Sequence, residues 1–397
     1  MEKIKMTDIC HTAYNLIKTD ADLKAIAVDL QEETEIGVDL EADSMFHYQE
    51  KVCLLQISTH TLNIIIDPLS IESLSPLAPI FADVRIRKVF HGADYDMRSL
   101  YRDFGIEVHS LFDTQIAAKF LGIRETGLAS LLKDRFNVLS DKKYQKSDWS
   151  QRPLSVAMLQ YAVQDICYLL PLADLLERKL MERGRLFCVQ EECDLLSKVR
   201  PNSHKNRPFF LNFKGAAKLD SRSLAVLEKI LCLRDQLASR RDFPHFKVLG
   251  NISVMEIALT KPVNMDGFTK IKGLSPKLIK RMGKLLIEKV KEGLSLTEDE
   301  LPVYPKKAKK RLRSKEALRV KALKTWRDQL SGKLDVDPAL VCTNAQIWAI
   351  AVTDPKNPDE MECIQGIRKW QIKSFGPDIC NLLQKPDLRV YQNKRSG

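Results

Sequence analysis

The chain has 397 residues, 44% hydrophobic and 29% charged, which is the composition of globular domains and excludes collagen-like, low-complexity and disulfide-scaffold classes. Its formal charge of +11 is unevenly spread: residues 1–200 hold 24 Lys+Arg against 31 Asp+Glu (−7), and residues 201–397 hold 39 against 21 (+18). That asymmetry predicts an acidic catalytic or metal-binding unit joined to a nucleic-acid-binding one, the plainer alternative being a basic face that aids solubility.

The length predicts two to four domains. Apolar runs such as Val52–Leu55 and Ile64–Ile66 are strand-sized, so no membrane span is expected. The N-terminus MEKIKMTDIC lacks the apolar core of a secretory signal. Nine scattered cysteines with no C-x-x-C pair predict free thiols in a reducing cytoplasm rather than a zinc ribbon or a disulfide framework.

A helix is predicted over Asp20–Leu30, capped by Asp20 or Asp22, with Leu23, Ile26, Ala27 and Leu30 as its apolar stripe. Three strand-like runs follow, Glu35–Leu40, Val52–Ser58 and Leu62–Ile66, whose short connections suit an antiparallel meander ended by Asp67-Pro68. A helix over Ser73–Phe81, a strand over Arg87–Phe90, and helices over Asp94–Phe104, Thr114–Leu121 and Gly127–Phe136 come next. A long helical stretch from Ser155 to Arg183 is expected to kink or break at Pro171. This order implies a mixed sheet covered by helices.

The back half reads as helical and contains an internal repeat. LRDQL at 233–237 matches WRDQL at 326–330, IKGL at 271–274 matches IQGI at 364–367, and Val248, Asn251 and Ile257 match Val341, Asn344 and Ile350, all at an offset of 93. A constant offset across separate blocks predicts two copies of one small helical domain. Between them YPKKAKKRLRSKEALRVK (304–321), with nine basic residues and one acid, reads as a linker running into a helix.

Three features carry chemistry. Asp39 and Glu41 stand two apart in a strand, so both carboxylates point to one face. Like charges there repel, and a hard divalent cation with oxygen ligands would relieve both burial and repulsion; alone, the pair is a weak signal. KVFHGADYDMRSL (88–100) sets Asp94 and Asp96 at a strand-to-helix corner. In YAVQD (161–165), Tyr161 and Asp165 are i, i+4 on one helix and share a face. Taken alone, that pair fits a half-buried tyrosine and a solvated aspartate better.

Together the motifs resemble the 3′–5′ exonucleases with four acidic residues and a tyrosine. GVDLEADS, VCLLQIS, KVFHGADYD, FDTQIAA, SDWSQRPL and YAVQDICYLLPL are similar to the ribonuclease D branch, from about Glu35 to Leu180. Each copy of the repeat resembles the helicase-and-ribonuclease-D C-terminal domain, although the second departs at LDVDPALVCTN.

The resemblance implies an α/β ribonuclease-H-like exonuclease domain with a mixed sheet (1–205), followed by two all-α bundles (213–295 and 316–392) separated by a basic linker (296–315). It implies two divalent ions, Mg²⁺ or Mn²⁺, on Asp39, Glu41, Asp96 and Asp165, with Asp39 bridging, Asp96 preferred to Asp94 because it follows His91 by five residues, and Tyr161 orienting the attacking water. Leu40 and Met45 are candidates to wedge the terminal base, and Gln56, His91, Ser147, Trp149 and Arg152 to shape the site. Asp113 reads as a helix N-cap. Lys306, Lys307, Lys309, Lys310, Arg311 and Arg313 are expected to tether RNA through its phosphates. The implied substrate is RNA with a free 3′ end, transfer-RNA precursors being the family expectation, handled in the cytoplasm without an obligate protein partner. A DNA 3′–5′ exonuclease of repair type and a non-catalytic nucleic-acid-binding scaffold are the alternatives.

Overall fold

The computed structural model describes residues 13–139, 143–201, 207–305 and 312–385. Described residues fall into two compact units. The first joins the chain up to Glu41, Val52–Pro201 and the last helical bundle; the second joins Ala42–Lys51 with the first helical bundle.

The first unit is built on six strands: β1 (Asn15–Ile17), β2 (Glu35–Ala42), β3 (Val52–Ser58), β4 (Asn63–Ile66), β5 (Arg87–Phe90) and β6 (Leu111–Asp113). Their order is β1-β4-β3-β2-β5-β6. β3 and β4 are antiparallel, as Leu55 opposite Ile66 shows, while β1 runs parallel to β4, β5 to β2 and β6 to β5. The sheet is therefore mixed, as expected. Strands β1 and β6 have three residues each, too few to display an alternating pattern, and were not anticipated.

Helices α1 (Asp20–Gln31), α2 (Ala78–Ala82), α3 (Asp94–Phe104), α4 (Thr114–Phe120), α5 (Leu128–Phe136), α6 (Val156–Ile166), α7 (Leu169–Glu182) and α8 (Leu186–Leu196) cover it. The cap of α1 is Thr19, whose hydroxyl accepts the Asp22 N–H (3.1 Å); Asp20 and Asp22 lie inside the first turn instead, where the helix dipole favours them. The long helical stretch breaks at Cys167 and Tyr168, not at Pro171. Pro171 is the third residue of α7, where its missing N–H leaves no intrahelical bond unmade. The span Val156–Glu182 is long and apolar enough to cross a membrane, which the strand-sized runs did not foretell; over half of its most apolar window is buried in this unit as core. Cys167 is disulfide-bonded, contrary to the expectation of free thiols throughout. Long-range pairing depends on tertiary proximity, to which cysteine spacing is blind.

The repeat appears as two matched bundles. Helices α9 (Ser221–Arg241), α10 (His245–Val248), α11 (Asn251–Thr260), α12 (Met265–Thr269) and α13 (Pro276–Leu294) form the first. Helices α14 (Ser314–Leu334), α15 (Pro338–Val341), α16 (Asn344–Thr353) and α17 (Lys369–Leu383) form the second. α14, α15 and α16 begin and end 93 residues after α9, α10 and α11, and α17 begins 93 after α13.

Within the first unit the second bundle docks on the sheet domain through Trp370. Its ring meets Phe120 edge-on (5.2 Å between centroids) and its indole N–H donates to Glu192 (2.9 Å). Glu191 accepts the backbone N–H groups of Lys369 and Trp370 (2.7 Å each), satisfying the start of α17. Beside this contact lies a cleft of about 880 Å³ lined by α4 and α15.

Candidate metal centre and active site

β2 alternates cleanly. Ile36, Val38 and Leu40 enter the main apolar core, so Gly37, Asp39 and Glu41 occupy the opposite face. A Cβ on Gly37 would stand 2.5 Å from the Ser58 hydroxyl and 3.1 Å from Leu169 Cβ. The glycine therefore lets β2 approach the end of α6, to whose Ile166 carbonyl Ser58 donates (3.0 Å). That approach brings Asp165 to the strand: one carboxylate oxygen each from Asp39, Glu41 and Asp165 lies within 4.8 Å of the others.

The three groups crowd one another and are shielded from water. Burial first, then the neighbouring charges of Asp96 and Asp165, holds the Asp39 carboxyl well above its usual range. Glu41 is pushed up to about 10 by burial and by Asp39, Asp165 and Asp96. Asp96 enters α3 at its first turn, is buried, and is raised to about 7 by burial and by Asp113. It acts on Asp39 and Glu41 through its charge but stands outside the tight trio. The neighbours acting most strongly on Asp39 are thus carboxylates rather than cations. An all-oxygen carboxyl cluster that is reluctant to ionise alone fits hard divalent cations.

Tyr161 and Asp165 hydrogen-bond through their side chains, and burial together with the Asp165 and Glu41 charges raises the phenol far above its usual range. The Tyr161 ring sits among Trp149 (6.1 Å) and Tyr144 (5.9 Å).

The remaining candidates divide. Leu40 is no wedge by its side chain, because the residue between two site carboxylates must point to the other face, into the core. Met45 is exposed and belongs to Ala42–Lys51, in the second unit. Gln56 shares the β3 face of Ser58, is fully buried, and both of its amide atoms lack a partner. Trp149 is buried with an unpaired indole N–H. Ser147 is half-buried, its N–H donating to the Tyr144 carbonyl (3.0 Å).

Arg152 is committed to the fold rather than to substrate: its guanidinium grips Asp67 with two bonds of 2.6 Å and donates to the Trp149 and Cys53 carbonyls. Burial alone would raise Asp67, but Arg152 holds it below its usual value. His91 bonds Thr114 (2.9 Å) through Nδ1, and its Nε2 is buried without a partner; burial lowers its pKa. Asp94 is tied to Arg98 by two bonds (2.9 and 3.0 Å). Of the linker cations, Arg313 is exposed, while Lys306, Lys307, Lys309, Lys310 and Arg311 lie outside the described residues.

Asp113 does more than cap a helix. It accepts Gln115 and Ile116 N–H at the start of α4, and also Gly92 (3.1 Å) and Ala93 (2.8 Å) N–H at the corner leading into α3. One buried carboxylate thus fixes the corner two residues ahead of Asp94. The sequence signal was the cap; the second corner is a tertiary contact.

Residues 14–181 match the 3′–5′ exonuclease family, and residues 223–290 and 316–383 each match the HRDC domain, again 93 apart. The chain is 30% identical to ribonuclease D of Gluconacetobacter diazotrophicus over 92% of both chains. This chain belongs to the ribonuclease D family. It superposes on Escherichia coli RNase D, described as an exoribonuclease involved in structured RNA processing, with a TM-score of 0.71, 27% identity, and coverage of 94% of this chain and 99% of that one. It is also 36% identical to the exosome complex component 10 homolog of Caenorhabditis elegans, over 67% of this chain but 31% of that longer protein. Membership makes the chain a hydrolase, an exoribonuclease of the ribonuclease D type with two helical HRDC domains behind a mixed-sheet nuclease domain.

Proposed function

We propose that this chain trims the 3′ ends of structured RNA, transfer-RNA precursors among them, in the cytoplasm, releasing nucleoside 5′-monophosphates one at a time. The observation that carries the reading is the convergence of Asp39, Glu41 and Asp165 with the Tyr161 hydroxyl bonded to the third. Asp39, Glu41, Asp96 and Asp165 would hold two Mg²⁺ or Mn²⁺ ions, which supply an activated water and neutralise charge on the scissile phosphate.

Asp39 and Glu41 must give up protons to do so, because burial and the neighbouring carboxylates favour their protonated forms. Tyr161, held neutral by its surroundings, remains an O–H donor at working pH; it orients the water and does not abstract its proton. Asp165 fixes that hydroxyl. Gln56 and Trp149 offer buried, unpaired polar atoms beside these elements, fit to contact the terminal nucleotide or its water.

The domain limits we propose are 1–205 for the nuclease, 213–295 and 316–392 for the bundles, and 296–315 for the linker. The linker cations would raise the local concentration of RNA without reading its sequence. Paired HRDC domains and RNA-acting relatives favour RNA over DNA. The test is incubation with Mg²⁺ and 3′-extended RNA or DNA of equal sequence, with Asp39→Asn as control. Mononucleotide release from RNA alone, lost in the variant, is expected. Release from DNA alone would favour a repair nuclease, and release from neither a scaffold.

A further inference from the structure

The second unit carries an aromatic, basic surface that the hydrolytic site does not use. Phe243 and Phe246 flank Pro244 in the turn from α9 into α10 and are 47% and 50% exposed. Arg240, Arg241 and Lys247 around them are exposed as well. Ala42–Lys51 folds onto the same corner: His47 and the Tyr48 N–H bind Asp242 (2.6 and 3.1 Å), the Tyr48 hydroxyl binds Asp235 (2.8 Å), and Lys247 Nζ lies 4.3 Å from the centre of the Phe46 ring. Both carboxylates of the corner are engaged by neighbours, Asp235 also by His245 (2.9 Å), although Asp242 itself stays exposed. Two exposed phenyl rings, Phe243 and Phe246, and three exposed cations remain to face solvent or a ligand, with the half-buried Phe46 beneath Lys247.

The repeat sharpens the point. Ninety-three residues on, Val336, Ala339 and Leu340 stand where Phe243, Phe246 and Lys247 stand. In that second copy the corner is used internally: Leu340 packs on the nuclease core, Arg185 donates to the Leu334 carbonyl (2.9 Å), and Gly122 lies against the Asp335 carbonyl, which a Cβ there would approach to 2.0 Å. The first copy has exchanged apolar docking residues for large rings and a cation, and left them exposed. Exposed rings interleaved with cations suit unpaired bases and phosphates together, whereas a protein-docking copy of the same corner is aliphatic.

We infer that the Phe243–Phe246 corner, completed by Phe46 and Lys247, is a stacking platform for single-stranded RNA, engaging nucleotides upstream of the 3′ end that the nuclease domain shortens. This rests on the exoribonuclease reading for its physiological meaning, but it makes a separate claim about binding.

The test is fluorescence anisotropy of the full chain in EDTA with a 5′-labelled, unstructured RNA of about twelve nucleotides. Phe243→Ala with Phe246→Ala is expected to weaken binding roughly tenfold for each ring lost, on the scale of base–aromatic stacking. The salt dependence should stay as in the wild type, because no charge changes. Phe243→Tyr with Phe246→Tyr restores affinity. Phe243→Leu with Phe246→Leu keeps apolar contact if alanine unfolds the turn, and is expected to bind as poorly as the alanine pair. Neutralising Arg240, Arg241 and Lys247 to Gln lowers both affinity and the salt slope, by about two for single strands. Unchanged RNA affinity in the Leu pair overturns the platform, as it would if the corner served a protein instead. Absence of RNA binding by the wild type overturns it too. Ring-dependent binding by a chain that releases no mononucleotide would support the platform and sink the nuclease reading, so the two fail separately.

Discussion

Glu41→Gln should stabilise the metal-free protein while abolishing its response to metal. Glu41 ordinarily ionises near 4.5, and in the fold it keeps its proton to about 10 because of burial and three neighbouring carboxylates. A raised folded pKa means that stability is fully present below about 4.5 and is lost progressively as pH rises towards 10. At pH 7.5 the cost reaches at most ~4 kcal/mol, at 1.36 kcal/mol per unit. Relaxation and the residual solvent at this partly buried residue reduce it to ~1–2 kcal/mol. Glutamine carries no such cost, so in EDTA the variant is expected to melt about 2–6 °C above the wild type. The gap should widen with pH above 4.5 and vanish below it. Millimolar Mg²⁺ should reverse the order, because binding stabilises the wild type alone. A variant that melts at or below the wild type in EDTA at pH 7.5 would refute the picture of a repulsive, cation-demanding cluster.

Tyr161→Phe should lower kcat by about 10²-fold or more with Mg²⁺ affinity nearly unchanged, since the hydroxyl orients water and the ring keeps its packing; steady-state kinetics and calorimetric metal titration together check this. Arg152→Ala, which leaves Asp67 buried without its cation, should cost about 3–5 kcal/mol, read from denaturant unfolding. Gly37→Ala should cost roughly 1–3 kcal/mol by driving β2 away from Ser58 and Leu169, and should loosen the metal site in the same protein.

What could be read from the sequence was whatever a single element contains. Tyr161 and Asp165 share one helix face, and Asp39 and Glu41 one strand face, so periodicity alone pairs them. Bringing the pairs together depends on Gly37, whose significance is a contact with Ser58 and Leu169 from distant elements. The 93-residue repeat was legible because separate blocks of matching residues recur at one offset, and the helix starts of the two copies follow it. The tertiary layer was not: the double grip of Asp113 on two corners, the Arg152–Asp67 clamp, the break before Tyr168, the Cys167 disulfide, and the folding of Ala42–Lys51 with the first bundle. Leu40 was misread for a physical reason, since a strand residue between two acids that share the site face has to point to the other face, into the core.

The central claim is that these carboxylates cut RNA one nucleotide at a time from its 3′ end. The most direct measurement follows an RNA labelled in its 3′-terminal nucleotide, with Mg²⁺, and identifies the first labelled product. A labelled nucleoside 5′-monophosphate appearing without a lag, while the remaining RNA keeps its 5′ end and shortens in single steps from its 3′ end, is the predicted result. Internal fragments, or a terminal nucleoside released without its 5′-phosphate, would contradict the account.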